Sequence, residues 1–360
     1  MSTSRLRFRQ LSAHINPASF LVWLAASHPC SNPNTSSRRS PMASLAYVIS
    51  AICVSLLLSP ASGIDFDYPA VFNFGDSNSD TGDLIAAGIG DPLLPPNGRA
   101  YFSKPAGRFC DGRLIIDFLM DAMDMPFLNA YLDSVGAPSF QKGCNFAAAG
   151  STILPATKYS VSPFSFGIQV AQFFRFKNQV LQLQTKGARK FWIHNTGPLG
   201  CLSQNIVIFG KDPSKLDKFG CVSSHNRAAK LFNIQLHTLC TKLRGVFADA
   251  TITYIDVFTI KFNLIANFSR YGFENPIAAC CGYSGLPLNY DPRIACGQTK
   301  VLKGRSATAK ACDDATEYIN WDGIHYTEAA NLHVSSQILT GRYSDPPFAD
   351  QMPFALKLKF

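Results

Sequence analysis

The chain has 360 residues, 47% hydrophobic and 16% charged, which supplies one sizeable globular core and argues against disorder over most of its length. Its formal charge is +9, but Arg5, Arg7, Arg9, Arg38 and Arg39 sit in residues 1–63, where there is no Asp, Glu or Lys, so the remainder carries only +4. With its Lys and Arg scattered and no basic helix or aromatic-basic stripe, that remainder argues against a nucleic-acid partner.

From Leu45 to Leu58 the chain is apolar and uncharged, and Pro60, Ala61 and Gly63 follow with the small residues a signal peptidase accepts. The stretch is shorter than the roughly 20 residues a membrane-spanning helix needs, so residues 1–63 are expected to be a secretory leader, with no membrane span in the mature form. Met42 offers a second start site just upstream, and the Ser- and Arg-rich, acid-free extension before it leaves an organelle transit peptide open as the other reading.

Beyond the leader, Tyr68 to Phe74 is a short β-prone run that stops at Gly75-Asp76-Ser77, a buried strand feeding a polar loop. Pro92, Pro95, Pro96 and Gly98 mark a long excursion, after which Leu114, Ile115, Phe118, Leu119 and Met123 recur at helical spacing. Gly143 to Gly150 reads as a second strand ending in a glycine turn, and Ile168 to Leu183 as a helix. Phe191 to His194 is a third strand, Ala228 to Leu243 a helix, Thr251 to Val257 a fourth strand and Glu328 to Leu339 a final helix that Thr327 is placed to cap. Strands alternating with helices imply right-handed crossovers and a mostly parallel sheet covered on both faces. Ligands bind such sheets at the carboxyl ends of the strands, where Ser77, Gly150 and Asn195 fall.

Of eleven cysteines, nine lie beyond the leader: Cys110, Cys144, Cys201, Cys221, Cys240, Cys280, Cys281, Cys296 and Cys312. That density after a leader favours disulfides over metal binding, the odd count leaves at least one free thiol, and the sequence does not assign the pairs. Asn267-Phe-Ser269 is the glycosylation acceptor beyond the leader.

Two motifs carry the chemistry. Ser77, at the end of the first strand, has its hydroxyl at the mouth of the sheet beside N–H groups freed by the turn, but a hydroxyl needs a base within reach to act as a nucleophile. Asp322-Gly-Ile-His325 supplies one: the Asp322 carboxylate can turn back to Nδ1 of His325 while Nε2 points toward a hydroxyl. Alone, the first motif is as readily a turn or helix cap and the second an ordinary loop before a helix; their coincidence, in the order Ser, Asp, His on an alternating α/β framework, favours catalysis.

The block Phe72-Asn-Phe-Gly-Asp-Ser77-Asn-Ser-Asp-Thr81-Gly resembles the first signature of the GDSL esterases (SGNH hydrolases), and Asp322-Gly-Ile-His325 the last. Gly107-Arg-Phe-Cys-Asp-Gly, Gly143-Cys-Asn-Phe-Ala147, Asn195-Thr-Gly197-Pro-Leu-Gly200-Cys and Cys280-Cys281-Gly are similar to the plant branch, and the resemblance runs from Ala70 to about Leu339. It implies a three-layer α/β/α, flavodoxin-like fold on a mostly parallel sheet as a single domain over residues 64–345, with 346–360 as a tail. It implies Ser77 as nucleophile, His325 as general base and then acid, Asp322 as its orienting partner, and the N–H groups of Ser77 and Gly150 as oxyanion donors, with no metal and no organic cofactor.

The pattern breaks at one place. The family's Gly-x-Asn-Asp block, whose Asn is a third oxyanion donor at the end of the middle strand, has no counterpart: the chain contains no Asn-Asp pair, and the helix ending near Gln182 runs directly into Thr185-Lys-Gly-Ala-Arg-Lys190. The sheet is therefore expected to lack its middle strand, leaving unpaired backbone groups and uncovered apolar helix faces unless it closes up. Asn195 is the nearest asparagine that could substitute, although a turn residue before Thr-Gly-Pro is its simpler role. The expected protein is a secreted, monomeric serine esterase acting on acetyl or acyl esters of sugars or lipids; the alternative is a catalytically inactive variant that acts at most by binding. A metal-dependent hydrolase built on Asp313, Asp314 and His325 is a third reading, without supporting ligand spacing.

Overall fold

The computed structural model describes residues 22–25, 68, 70–133, 135, 138–180 and 189–347. The apolar stretch 45–58, the junction 181–188 and the tail from residue 348 lie outside the described residues.

The four framework strands anticipated from the sequence are present and all run parallel to one another. β2 (Val71–Phe74) pairs with β3 (Gly143–Asn145), with Phe72 opposite Cys144, and β4 (Lys190–His194) pairs with β5 (Thr251–Ile255), with Trp192 opposite Thr253. Two short strands outside the alternating pattern complete a six-stranded sheet. β6 (Ser344–Asp345) edges β5, and β1 (Val22–Ala25), from the segment expected to be a leader, lies antiparallel between β2 and β4.

The expected gap is thus real, and the sheet neither closes up nor stays open. Val22 sits opposite both Phe74 and Ile193, and Ala25 opposite both Val71 and Lys190. Two facing strand edges carry rows of unpaired N–H and C=O groups, and any extended segment can satisfy them.

Residues alternate between the faces of the sheet with the strand period of two. Val71, Trp192 and Ile255 join a core formed with α1 (Ile115–Ala122), α5 (Val257–Ala266) and α6 (Glu328–Leu339). Phe72 and Phe74 pack against Phe173 and Phe176 of α2 (Phe166–Val180), and Ile193, Ile252 and Tyr254 against Leu236 and Cys240 of α4 (Ser223–Val246), which follows the short α3 (Ser203–Phe209). The result is helix, sheet, helix: the expected three layers. On α4, Leu231, Ile234 and Val246 are 59%, 64% and 70% exposed, an apolar stretch that the described residues leave uncovered.

Local chemistry sets the ends of these elements. The Asp117 side chain accepts from Leu114 N at 2.9 Å at the start of α1 and holds buried Arg108 in a two-pronged pair at 2.7 and 3.2 Å. Asp256 begins α5 by accepting from Thr259 N at 3.0 Å, and Thr327 caps α6 as expected, accepting from Ala330 N at 3.2 Å. Six cysteines pair, as Cys201–Cys221, Cys280–Cys312 and Cys281–Cys296, while Cys110, Cys144 and Cys240 are free and buried. No helix among the described residues is long and apolar enough to cross a membrane.

Candidate active site

Ser77 sits in the turn after β2, and His325 and Asp322 in the loop before α6. His325 Nε2 lies 2.7 Å from Ser77 Oγ, and His325 Nδ1 lies 2.7 Å from Asp322 Oδ2. The other carboxylate oxygen, Asp322 Oδ1, accepts from the N–H groups of Ile324 and His325 at 3.0 and 2.9 Å. Ser77 and His325 are buried.

The loop is shaped for this geometry. Gly323 has φ +99°, and a Cβ there would fall 2.2 Å from the Tyr290 ring, so only glycine lets the chain turn from Asp322 back to His325. Gly323 N donates to Asn320 Oδ1 at 2.6 Å, Trp321 N to His325 O at 2.7 Å, and Trp321 Nε1 to Asn97 Oδ1 at 2.9 Å. Phe109 lies along the imidazole, ring centres 5.6 Å apart.

Burial works against a charged His325, but the charge and hydrogen bond of Asp322, with Asp76 adding to them, outweigh it and raise its pKa above the usual histidine value. For Asp322 burial pushes upward, yet His325 and the two loop N–H groups hold its carboxyl below the usual range. The arrangement is a strengthened base facing a hydroxyl.

Gly150 occupies the turn after β3 with φ +73°. Asp80 ties that turn to the nucleophile loop: Oδ1 accepts from Gly82 N at 2.7 Å and Asp83 N at 2.6 Å, while Oδ2 accepts from Ala149 N at 2.7 Å. Gln169 of α2 clamps the same region, its Oε1 accepting from Gly75 N at 3.0 Å and its Nε2 donating to Gly75 O at 2.8 Å and Ser151 Oγ at 2.9 Å. No acceptor among the described residues engages the backbone N–H of Ser77 or of Gly150. Both are free to meet an oxyanion.

Asn195 is not a third donor. Its Nδ2 donates to Tyr254 Oη at 2.7 Å and Asp256 Oδ1 at 2.8 Å, and its Oδ1 accepts from Phe258 N at 2.8 Å, so it buttresses the start of α5. Asp314 likewise engages Thr316, accepting from its N at 2.8 Å and its Oγ1 at 2.6 Å. Asn267 is exposed at the end of α5, its Nδ2 donating to Asn263 O at 3.0 Å.

Sequence reasoning missed Asp80, Gln169 and Lys261. Asp80 lies inside the first signature block, three residues from Ser77, which was its signal; Gln169 and Lys261 are each one of several polar residues within their helices and gave none. Lys261, from α5, lines the cleft beside Ser77 together with Asp76, Gly197, Ile324 and Tyr326.

The profile of the family described as GDSL-like Lipase/Acylhydrolase matches residues 71–186 and 178–338, two stretches that meet at the junction where the middle block is missing. A GDSL esterase/lipase of Arabidopsis thaliana is 53% identical over 404 aligned positions, covering 88% of this chain and 98% of the relative. That alignment is longer than the 360-residue chain, so the relative carries positions with no counterpart here. A second Arabidopsis thaliana GDSL esterase/lipase is 47% identical over 82% of this chain and 94% of its own length, and a third, named LIP-4, is 42% identical over 78% and 87%.

Proposed function

The chain belongs to the GDSL-like lipase/acylhydrolase family and is a hydrolase of ester bonds; from that premise we propose that it works through an acyl-enzyme on Ser77. The observation that carries this reading is the 2.7 Å contact between His325 Nε2 and Ser77 Oγ, continued by the 2.7 Å contact to Asp322. Ser77 Oγ attacks the ester carbonyl as His325 takes its proton, and the tetrahedral oxyanion lies against the N–H groups of Ser77 and Gly150. Collapse breaks the ester C–O bond, with His325 returning the proton to the leaving alcohol. Water, deprotonated by His325, then attacks the acyl-Ser77 carbonyl, and the acid leaves as Ser77 recovers its proton. Asp322 holds the imidazole in the tautomer both halves need.

The substrate class that fits the reading is an acetyl or acyl ester of a sugar or lipid, met by a monomer outside the cell. Three disulfides suit an oxidising compartment, and the apolar run after Met42 suits export, in which removal of the leader would also take β1 out of the sheet. Exposed Asn267 suits glycosylation. The second reading, an inactive binding protein, is favoured by the absence of the Asn donor, whose loss costs about 10² to 10³ in rate. Hydrolysis of p-nitrophenyl acetate by the full chain and by Ser77→Ala decides between them. The enzyme reading expects turnover that drops about 10³-fold or more in the variant; a folded chain with no turnover above Ser77→Ala favours the binding protein.

A further inference from the structure

Lys261 is 3% exposed in the interior of α5, and its Nζ lies 3.9 Å from the centre of the Tyr326 ring. Its stem passes beneath Gly197, where a Cβ would fall 3.1 Å from Lys261 Cδ and 4.0 Å from Nζ. No carboxylate among the described residues forms an ion pair with it and no acceptor receives its hydrogen bonds. A buried ammonium that meets only a ring face and the charge of Asp76 is costly unless something in its cavity answers the charge.

The cavity it faces is the cleft of Ser77. The Ser77 loop follows β2 and the Gly197 loop follows β4, and these two strands flank β1 in the sheet. Gly150 follows β3, on the other side of β2. A carbonyl oxygen seated at Ser77 therefore has the Gly150 turn on one side and Lys261 on the other, and among the described residues lining the cleft Lys261 is the one Lys or Arg.

We propose that the Lys261 ammonium is a charged third donor to the oxyanion formed at Ser77, acting beside the N–H groups of Ser77 and Gly150. The proposal rests on Ser77 being the nucleophile. A cation held in a buried site and already desolvated stabilises a developing negative charge far more in the transition state than in the neutral ester.

The groups that face Lys261 leave this charge in place. Burial presses its pKa down to about 8, and Asp76 pushes it back up. His194, at the end of β4, is pushed down to about 3 by burial and by Lys261 itself, and burial raises the Tyr326 hydroxyl. Both are neutral at pH 7, so Asp76, whose own pKa burial raises, and His325 are the titratable groups that tune the site.

The test compares the full chain with Lys261→Met, which keeps the stem and removes the charge, using p-nitrophenyl acetate and a trifluoromethyl ketone whose adduct with Ser77 carries the oxyanion. The expected result is a kcat about 10²-fold lower at unchanged KM, ketone affinity weakened by the same factor, and partial recovery of both in Lys261→Arg. If Lys261→Met does not fold, Lys261→Gln carries the same comparison. A folded neutral variant that keeps its kcat, or that loses kcat without losing ketone affinity, overturns the proposal. A native chain that neither turns over the ester nor binds the ketone overturns the Ser77 reading and the proposal with it, and is told apart by showing no activity before any substitution.

Discussion

Ser77 Oγ and His325 Nε2 stand 2.7 Å apart although 248 residues separate them in the chain. The contact survives the loss of the middle strand because its two halves are anchored away from the gap. The Ser77 loop is held by Asp80 and Gln169 against the β3 and α2 side, and the His325 loop by Asn97, Asn320 and Tyr290.

The first prediction concerns pH. His325 must be neutral to take the Ser77 proton, and its pKa is raised mainly because Asp322 favours the imidazolium against the opposing effect of burial. The rate kcat/KM should therefore fall as pH drops through a value above the ordinary histidine pKa. Asp322→Asn should move that acid limb to lower pH while reducing kcat roughly 10⁴-fold. A pH-rate profile of both proteins checks this, and an acid limb unmoved by the substitution contradicts it.

The alkaline side reports on Lys261. As pH rises through about 8 the ammonium is lost, so kcat should decline again, giving a bell-shaped profile. In Lys261→Met the alkaline decline should disappear. A variant that keeps the same alkaline limb assigns it to another group.

Asp80 accepts from the backbone N–H groups of Gly82, Asp83, Leu84 and Ala149. Asp80→Asn replaces one acceptor oxygen with an NH₂ that faces those donors, at a cost of roughly 2–3 kcal/mol. Because the Ala149 bond fixes the Gly150 turn, kcat should fall with stability. Urea denaturation and ester turnover measure the two; a stable, fully active variant contradicts the assignment.

Gly323→Ala places a Cβ 2.2 Å from the Tyr290 ring at φ +99°, which displaces the loop carrying Asp322 and His325. A cost of roughly 1–3 kcal/mol is expected, with a loss in kcat of about 10²-fold from misplaced catalytic groups. Adding Tyr290→Ala should recover part of the loss, since it removes the clash and leaves the backbone strain. Failure of the double variant to recover any activity contradicts the steric account.

A chain begun at Met42 lacks β1 and leaves the facing edges of β2 and β4 unpaired. Its unfolding free energy from urea denaturation should lie below that of the full chain by an amount on the order of a few kcal/mol, with more aggregation. Coincident denaturation curves would show that residues 22–25 contribute nothing to the sheet.

Much of this was legible in the sequence. Each framework strand ends in a glycine or polar turn, which marked β2, β3 and β4, and the two motifs at Ser77 and Asp322-Gly-Ile-His325 named three residues that the fold brings within hydrogen-bond reach of one another. The missing middle strand was legible as the absence of an Asn-Asp pair. What fills the gap was not, because backbone pairing by Val22–Ala25 is non-local and leaves no side-chain pattern. Helix α5 was hidden for a different reason: Val257 to Ala266 is apolar on nearly every side, so it lacks the helical period and its first residue reads as strand. Lys261 was lost in the same run, since a lysine turned into a cleft and one turned to solvent look alike in a sequence.

The most direct test of the account is the reaction of the full chain with a fluorophosphonate, followed by mass mapping of the modified peptide. The account predicts a single adduct on Ser77 that disappears in Ser77→Ala and is greatly slowed in His325→Ala. A folded protein that takes up no adduct, or takes it at another residue, would contradict it.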